Sequence, residues 1–125
     1  MSKIFVVDDD HAILKLYSLM LSGVGFEIID TATNGKIAVE KYRAFPVKPD
    51  IILIDYRMPI KNGLDAMVEI LQINGSEKIV FASADMDVRE RALELGACDF
   101  ISKPFGMDDV VDVLNKVLSE NIINQ

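Results

Sequence analysis

Five short apolar runs alternate with five segments of helical spacing, and this alternation restricts the fold more than any other feature of the sequence. The third run, Ile51–Ile54, is rich in β-branched residues and has no polar alternation, which is typical of a strand buried on both faces of a parallel sheet. Strict alternation of strands and helices favours an α/β fold with helices on both faces of the sheet and right-handed crossovers. The predicted strands are Lys3–Val7, Phe26–Ala32, Ile51–Asp55, Lys78–Ala82 and Asp99–Ser102. The predicted helices begin near Ile13, Gly35, Gly63, Met86 and Met107 and end near Leu21, Phe45, Asn74, Leu95 and Glu120.

Size, charge and cysteine content narrow the functional classes. A chain of 125 residues fits one domain, residues 1–125, without a separate effector domain. No apolar run approaches the roughly 20 residues of a membrane span, and the first residues do not resemble a signal peptide, so we expect a cytoplasmic protein that does not enter a membrane. The net charge of −7 opposes binding to nucleic acid. The single cysteine, Cys98, excludes an intrachain disulfide and is expected to be a small buried side chain.

Four of the five apolar runs stop at a chemically useful side chain. The first stops at Asp8 and Asp9, the third at Asp55, the fourth at Ser83 and the fifth at Lys103. Because parallel strands have their carboxyl ends along one edge of the sheet, and open α/β sheets bind ligands at that edge, these residues are expected to converge. One polar strand end alone would be an ordinary loop residue, but an acid pair, an acid, a hydroxyl and a lysine together indicate a site.

Converging carboxylates repel one another unless a cation neutralises them. Oxygen ligands without organised cysteine or histidine select Mg²⁺, Mn²⁺ or Ca²⁺, and a shallow site with open positions suits hydrated Mg²⁺ best. A metal beside a lysine and a hydroxyl is a template for a phosphoryl group. Asp55, opposite the acid pair, is then the natural nucleophile.

The sequence resembles the receiver domains of two-component response regulators along nearly its whole length, in particular the stand-alone chemotaxis type. The resemblance rests on VVDDD (6–10), LIDYRMP (53–59) with the following Asn-Gly, ASA (82–84) and ISKPF (101–105). It implies a flavodoxin-like, doubly wound five-stranded parallel sheet in the order 2-1-3-4-5 with five helices. It also implies a phospho-accepting signalling domain rather than an enzyme, which catalyses only its own phosphorylation and dephosphorylation.

The resemblance assigns roles to the residues that match the family motifs. Asp55 is implied as the phospho-acceptor and, with Asp9, as a direct Mg²⁺ ligand. Asp8 would act on the metal through water, and the Arg57 carbonyl would be the third protein ligand. Ser83 and Lys103 would each contact a phosphoryl oxygen, and the Lys103–Pro104 peptide would be cis.

Further positions concern switching, lifetime and partners. Phe100 occupies the place of the family's switch aromatic and would turn inward as Ser83 moves toward the phosphate; the competing interpretation is a plain core ring. Arg57 and Asp85 occupy positions that tune hydrolysis in the family, and their opposite charges suggest an ion pair that screens the phosphoryl group. The expected partners are a sensor histidine kinase or phosphotransfer protein and an output protein bound by the fourth helix, fifth strand and fifth helix. We expect a monomer or weak homodimer.

Two other functional classes fit parts of the sequence. Asp8-Asp9-Asp10 also matches the start of small phosphatases that use an aspartyl nucleophile, here Asp8, although Ala12 stands where those enzymes usually have Thr or Val. A flavodoxin-like cofactor binder would need a Ser-, Thr- and Gly-rich phosphate loop after the first strand, whereas this loop is acidic. The sequence therefore favours a receiver that signals by phosphorylation-dependent protein binding.

Overall fold

A computed structural model gives the fold of residues 1–123 and describes side chains as far as Glu120. Its five strands form one parallel sheet in the order β2-β1-β3-β4-β5, so the predicted α/β architecture and strand order are confirmed. The strands are β1 (Ser2–Val7), β2 (Phe26–Ala32), β3 (Ile51–Asp55), β4 (Ile79–Ser83) and β5 (Asp99–Ser102). The helices are α1 (His11–Ser22), α2 (Gly35–Ala44), α3 (Gly63–Ile73), α4 (Arg89–Glu94) and α5 (Met107–Ile123). The terminal pair 124–125 lies outside the described residues.

Alternate residues of the central strands pack into two separate cores, one on each face of the sheet. Ile51 and Leu53 face the core that α1 and α5 cover, whereas Ile52 and Ile54 face the core that α2, α3 and α4 cover. All five residues of β3 are buried, as the uninterrupted apolar run predicted. Helices therefore cover both faces of the sheet. The carboxyl ends of the strands remain open for a functional site.

The region around α4 differs from the sequence-based prediction of one helix over Met86–Leu95. The Asp85 side chain accepts a hydrogen bond from the Asp87 N–H, which begins a 3₁₀ turn over Met86–Val88 before the six-residue α4. The helix ends at Glu94, and Gly96, two residues later, has a φ of 122° that suits glycine. This region is thus a short turn and a short helix rather than one longer helix.

One burial prediction is wrong. Cys98 is exposed because it lies in the turn before β5, where its N–H donates to the Ile79 carbonyl at 2.8 Å and its side chain faces solvent. On α1, Leu14, Tyr17 and Leu21 form the inner face and Met20 is exposed. No helix among residues 1–123 is both long enough and apolar enough to cross a membrane.

A buried polar cluster lies at the other end of the sheet, away from the carboxyl ends of the strands. The Tyr42 hydroxyl on α2 donates to Glu77 Oε1 at 2.8 Å and accepts from Asn74 Nδ2 at 3.2 Å. Glu77 Oε2 accepts from the Lys78 N–H at 3.0 Å. This cluster fastens α2 to the segment that links α3 to β4.

Candidate functional site

Three carboxylates meet at the ends of β1 and β3. Asp8, Asp9 and Asp55 each offer an oxygen, and these oxygens lie within 4.8 Å of one another. Asp8 and Asp55 are buried, whereas Asp9 is exposed. We call these three residues the acid site. The convergence predicted from the strand ends is therefore present.

Asp10, the third acid of the DDD run, has a structural role. Asp10 is the N-cap of α1, and its Oδ1 accepts from the N–H groups of Ala12 at 2.9 Å and Ile13 at 3.4 Å. The Asp10 N–H in turn donates to Asp8 Oδ1 at 2.9 Å, which fixes the orientation of that carboxylate. Local helix capping thus separates Asp10 from the acid site.

Lys103 connects the end of β5 to the acid site. Its Nζ donates to Asp8 Oδ2 at 2.8 Å and lies 3.1 Å from Asp55 Oδ1. Burial alone would lower the pKa of Lys103, but the hydrogen bond to Asp8 and the charge of Asp55 outweigh it and raise that pKa. The ammonium therefore stays charged and holds the two buried carboxylates together. The Lys103–Pro104 peptide is cis, which confirms the prediction from the family resemblance.

Asp55 has a perturbed acidity. Burial is the largest cause, the neighbouring charge of Asp8 adds to it, and Lys103 opposes both, so that the pKa of Asp55 rises to about 6. The acid site therefore carries more negative charge than Lys103 alone offsets. A group with this environment at a strand end is a candidate for chemistry.

The acid site also fits a divalent cation. Three carboxylates in mutual reach, one of them exposed, offer hard oxygen ligands and leave positions for water, which is what Mg²⁺ requires. The cavity at this edge has a volume of about 260 Å³, and Asp9, Arg57 and Lys103 are among the residues that line it. The residues present therefore match a Mg²⁺ site, and the raised pKa of Asp55 is the electrostatic reason to expect one.

Ser83 lines the cavity of the acid site at the end of β4, whereas Phe100 lies in the core on β5. Ser83 is buried, and its Oγ accepts from the Asp85 N–H at 3.0 Å, which ties the hydroxyl to the following loop. Phe100 is buried and stacks on Phe81, with ring centroids 6.3 Å apart. This packing matches the core-ring interpretation of Phe100, and the switch role of the two residues stays a prediction.

The predicted contact between the loops after β3 and β4 exists. Arg57 Nη2 lies 2.8 Å from Asp85 Oδ2. The Arg57 side chain is 79% exposed and that of Asp85 is 22% exposed, so this is a surface ion pair. Arg57 of this pair lines the cavity that contains Asp55, whereas Asp85 does not.

The conformation of the loop after β3 explains why Asn62 and Gly63 follow Asp55. Asn62 caps α3 by accepting from the Asp65 N–H, and the Gly63 N–H donates to the Tyr56 carbonyl at 2.9 Å. A Cβ at Gly63 would lie 1.9 Å from the Asp55 carbonyl oxygen, so only glycine allows this close return. This tight loop places Ile60, an exposed residue, in an unfavourable backbone conformation with a φ of 72°.

Sequence reasoning missed one residue at this edge. Tyr17 is not among the predicted site residues, yet its hydroxyl is buried and has no hydrogen-bond partner among the described residues. Burial, followed by the charges of Asp8 and Asp55, raises the pKa of Tyr17. No sequence pattern signals this, because helical spacing shows that a residue faces inward but not what its hydroxyl meets.

Comparison with known protein families and sequences gives a consistent result. The family model described as response regulator receiver domain matches residues 4–115. The chain is 40% identical over 117 residues to the chemotaxis protein CheY of Thermotoga maritima, which covers 92% of this chain and 96% of that protein. It is 37% identical over 119 residues to CheY of Bacillus subtilis, covering 94% and 98% of the two chains.

Solved structures of similar proteins have the same architecture. The chain is similar to the CheX–CheY–BeF₃–Mg²⁺ complex from Borrelia burgdorferi with a TM-score of 0.88 and 29% identity, covering 93% of this chain and 88% of that one. It is also similar to the response regulator TrrA of Thermotoga maritima in complex with Mg²⁺ and BeF, with a TM-score of 0.84 and 31% identity over 94% and 99% of the chains. From its sequence match, its sheet order and the placement of its acid site, the chain belongs to the response regulator receiver family.

Proposed function

We propose that Asp55 accepts a phosphoryl group from the phosphohistidine of a sensor kinase or phosphotransfer protein. The observation that carries this proposal is the arrangement of Asp55 at the end of β3, with the other two acids and the Lys103 ammonium around it. A carboxylate oxygen of Asp55 forms the new bond to phosphorus, and the bond to the donor nitrogen breaks with its electron pair staying on nitrogen.

The residues around Asp55 divide the remaining work. Asp9, Asp55 and the Arg57 carbonyl would hold Mg²⁺, with Asp8 acting through water. When bound, Mg²⁺ supplies positive charge next to the phosphoryl oxygens. Lys103 leaves its contact with Asp55 and pairs with a phosphoryl oxygen, which suits a charge-assisted hydrogen bond.

The proposed response begins at Ser83. To reach a phosphoryl oxygen, its Oγ moves toward Asp55 and pulls on the loop to which it is hydrogen bonded through the Asp85 N–H. Phe100 then turns into the space that is vacated, and the surface of α4, β5 and α5 changes. Phosphorylation shifts the population between two packings, and an output protein binds the second. The protein acts as a monomer or weak homodimer in the cytoplasm.

The phosphatase alternative has weaker support. Both oxygens of Asp8 are engaged, one by the Asp10 N–H and the other by Lys103, which leaves Asp8 poorly placed for attack. Asp10, which would be the general acid of such an enzyme, is the cap of α1. Asp55 has the more suitable environment for a nucleophile.

Mass spectrometry tests the assignment directly. Incubation with acetyl phosphate and Mg²⁺ should add one phosphate to the protein, because the acid site, rather than the donor, provides the catalytic groups. Asp55→Asn should show no addition. Asp10→Asn is the matched control, because asparagine is an equally good N-cap and the acid site is untouched, so phosphate should still be added. Phosphate retained in Asp55→Asn, or mapped to Asp8, would contradict the proposal.

A further inference from the structure

A groove with apolar walls lies between α1 and the segment that follows β5. Ile13, Leu16 and Tyr17 form one wall, and Lys103, Pro104 and Phe105 form the other. We call this the α1 groove. Its volume is about 320 Å³, which falls within the range of small-molecule sites in proteins.

The Tyr17 hydroxyl, on one wall of the groove, lacks a hydrogen-bond partner among the described residues. The Tyr17 side chain is 1% exposed, and its hydroxyl is the one buried side-chain polar atom without a partner in the part of the chain that the structure describes. A buried hydroxyl that forms no hydrogen bond is unfavourable, and such groups in native proteins usually have a reason. The Tyr17 hydroxyl is thus a donor that an incoming group could satisfy.

The wall of the groove includes an aromatic ring that packs on the Tyr17 ring. The Phe105 ring stacks on Tyr17 with centroids 6.1 Å apart and an angle of 15° between the rings. Phe105 is only partly buried, and Leu16 at the rim is 47% exposed. A flat or branched apolar body that displaces the Phe105 ring sideways would reach the hydroxyl while remaining in contact with apolar walls.

The surrounding charges restrict what the groove can hold. Asp8 and Asp55 lie close enough to the Tyr17 hydroxyl for their charges to act on it, and the same carboxylates would repel an anion. The Lys103 ammonium is already engaged by both carboxylates and does not offer a free charge. The favoured ligand is therefore uncharged and carries a hydrogen-bond acceptor.

We propose that the α1 groove binds an uncharged small molecule with an aromatic or branched aliphatic body and one carbonyl oxygen, which accepts a hydrogen bond from Tyr17. This site adjoins the cavity that contains Asp55, with Ile13, Ala84 and Lys103 lining both, but its proposed ligand does not require the phosphorylation of Asp55. Binding requires no phosphate or metal, so the site can be tested with the unmodified protein.

Amide chemical shifts measured by NMR during titration provide the test, with acetophenone as the probe. α-Methylstyrene is the matched ligand, since it has the same shape with a methylene in place of the carbonyl oxygen. Acetophenone should shift the amides of Ile13, Leu16 and Phe105 and bind about fivefold more tightly than α-methylstyrene, the effect of one net hydrogen bond. Tyr17→Phe should bind both molecules equally.

Two further variants complete the test. Tyr56→Phe removes a tyrosine hydroxyl outside the groove and should keep the fivefold preference. Leu16→Lys changes an exposed rim residue that folding does not require, and should weaken both ligands alike. Equal binding of the two ligands to the unchanged protein would overturn the proposal. So would a preference that survives Tyr17→Phe, or shifts that map away from the groove.

Discussion

Lys103 is the residue whose contacts the sequence described least completely. Its position at the end of the fifth apolar run predicted that it would approach Asp55, and this is confirmed. Its shorter contact, to Asp8, was not predicted. Strand order and strand ends follow from hydrophobic patterns, but the choice between two carboxylates depends on side-chain geometry within an ångström. Sequence patterns carry no information at that scale.

The ion pair between Arg57 and Asp85 leads to a prediction about phosphoryl lifetime. If the pair screens the phosphoryl group from water, each of Arg57→Ala and Asp85→Ala should speed dephosphorylation, and the double variant should be no faster than the faster single one. Exposed ion pairs contribute about 0.2–1 kcal/mol, so the effect should not exceed roughly fivefold.

The measurement is the decay of phosphorylated protein after the phosphodonor is removed. Arg89→Ala, which removes an exposed charge outside the cavity that contains Asp55, is the control and should decay at the unchanged rate. Additive effects of the two substitutions would show that the charges act independently. Slower decay in either single variant would contradict the screening of the phosphoryl group.

Ile60 leads to a prediction about stability. A β-branched residue at a φ of 72° is strained, and glycine adopts this conformation without that strain. Ile60→Gly should therefore increase the free energy of unfolding by about 1 kcal/mol, even after the greater freedom of glycine in the unfolded chain is counted. Urea denaturation measures it.

Ile60→Ala is the matched control for backbone strain. Alanine removes the exposed side chain but keeps a Cβ, so it should recover much less stability than glycine does. An alanine variant as stable as the glycine variant would mean that the exposed side chain, rather than the backbone conformation, is unfavourable.

At the scale of whole elements, hydrophobic periodicity was a good guide where a segment was long and one-sided. β2, β3 and β5 have the predicted bounds, whereas β1 begins one residue earlier than predicted and β4 begins and ends one residue later. The region of α4 was less predictable, because a single side-chain hydrogen bond from the Asp87 N–H to Asp85 replaces the first helical turn. Helical spacing cannot distinguish these two conformations, which both place Val88 inward.

The polar cluster that fastens α2 gives a pH-dependent prediction. Burial raises the pKa of Glu77, and the hydrogen bonds from Tyr42 and Lys78 oppose this only in part. Asp50 adds to the rise and the charge of Lys78 opposes it. The folded protein therefore binds a proton more tightly than the unfolded chain does. Stability should fall as pH rises from the ordinary glutamate pKa, about 4.3, through the raised value.

Glu77→Gln should remove this part of the pH dependence, because glutamine does not titrate. It should also lower stability at every pH, since one of the two hydrogen bonds to the carboxylate is lost. Glu40→Gln, at an exposed position of α2, should leave the pH profile unchanged. Urea denaturation across the pH range compares the three proteins, and an unchanged slope in Glu77→Gln would contradict the assignment.

For the molecule as a whole, the acid site and the Tyr42–Glu77 cluster lie at opposite ends of the strands of one sheet. The acid site lies at the carboxyl ends of the strands, and the cluster joins segments at the other ends. The family and the strand order could be predicted because several motifs fall at strand ends in one pattern. The buried cluster could not, because Tyr42 and Glu77 are 35 positions apart and neither stands in a motif.

Metal binding should be visible as a gain in global stability. A cation that binds only the folded protein, at ten times its dissociation constant, raises the free energy of unfolding by about 1.4 kcal/mol. Mg²⁺ should therefore stabilise the unchanged protein against heat or urea. Asp9→Asn should lose this gain, whereas Asp10→Asn should keep it. Equal stabilisation of both variants would place the metal elsewhere.

The contact between Lys103 and Asp8 joins residues that are 95 positions apart. During synthesis, a ribosome that has just made the first three strands has already produced every carboxylate of the acid site, but not its lysine. Such a nascent chain, or a fragment cut by a protease between β4 and β5, holds the proposed nucleophile without the ammonium that would pair with a phosphoryl oxygen. If Asp55 and Lys103 act as proposed, an output response requires a chain that is complete through β5.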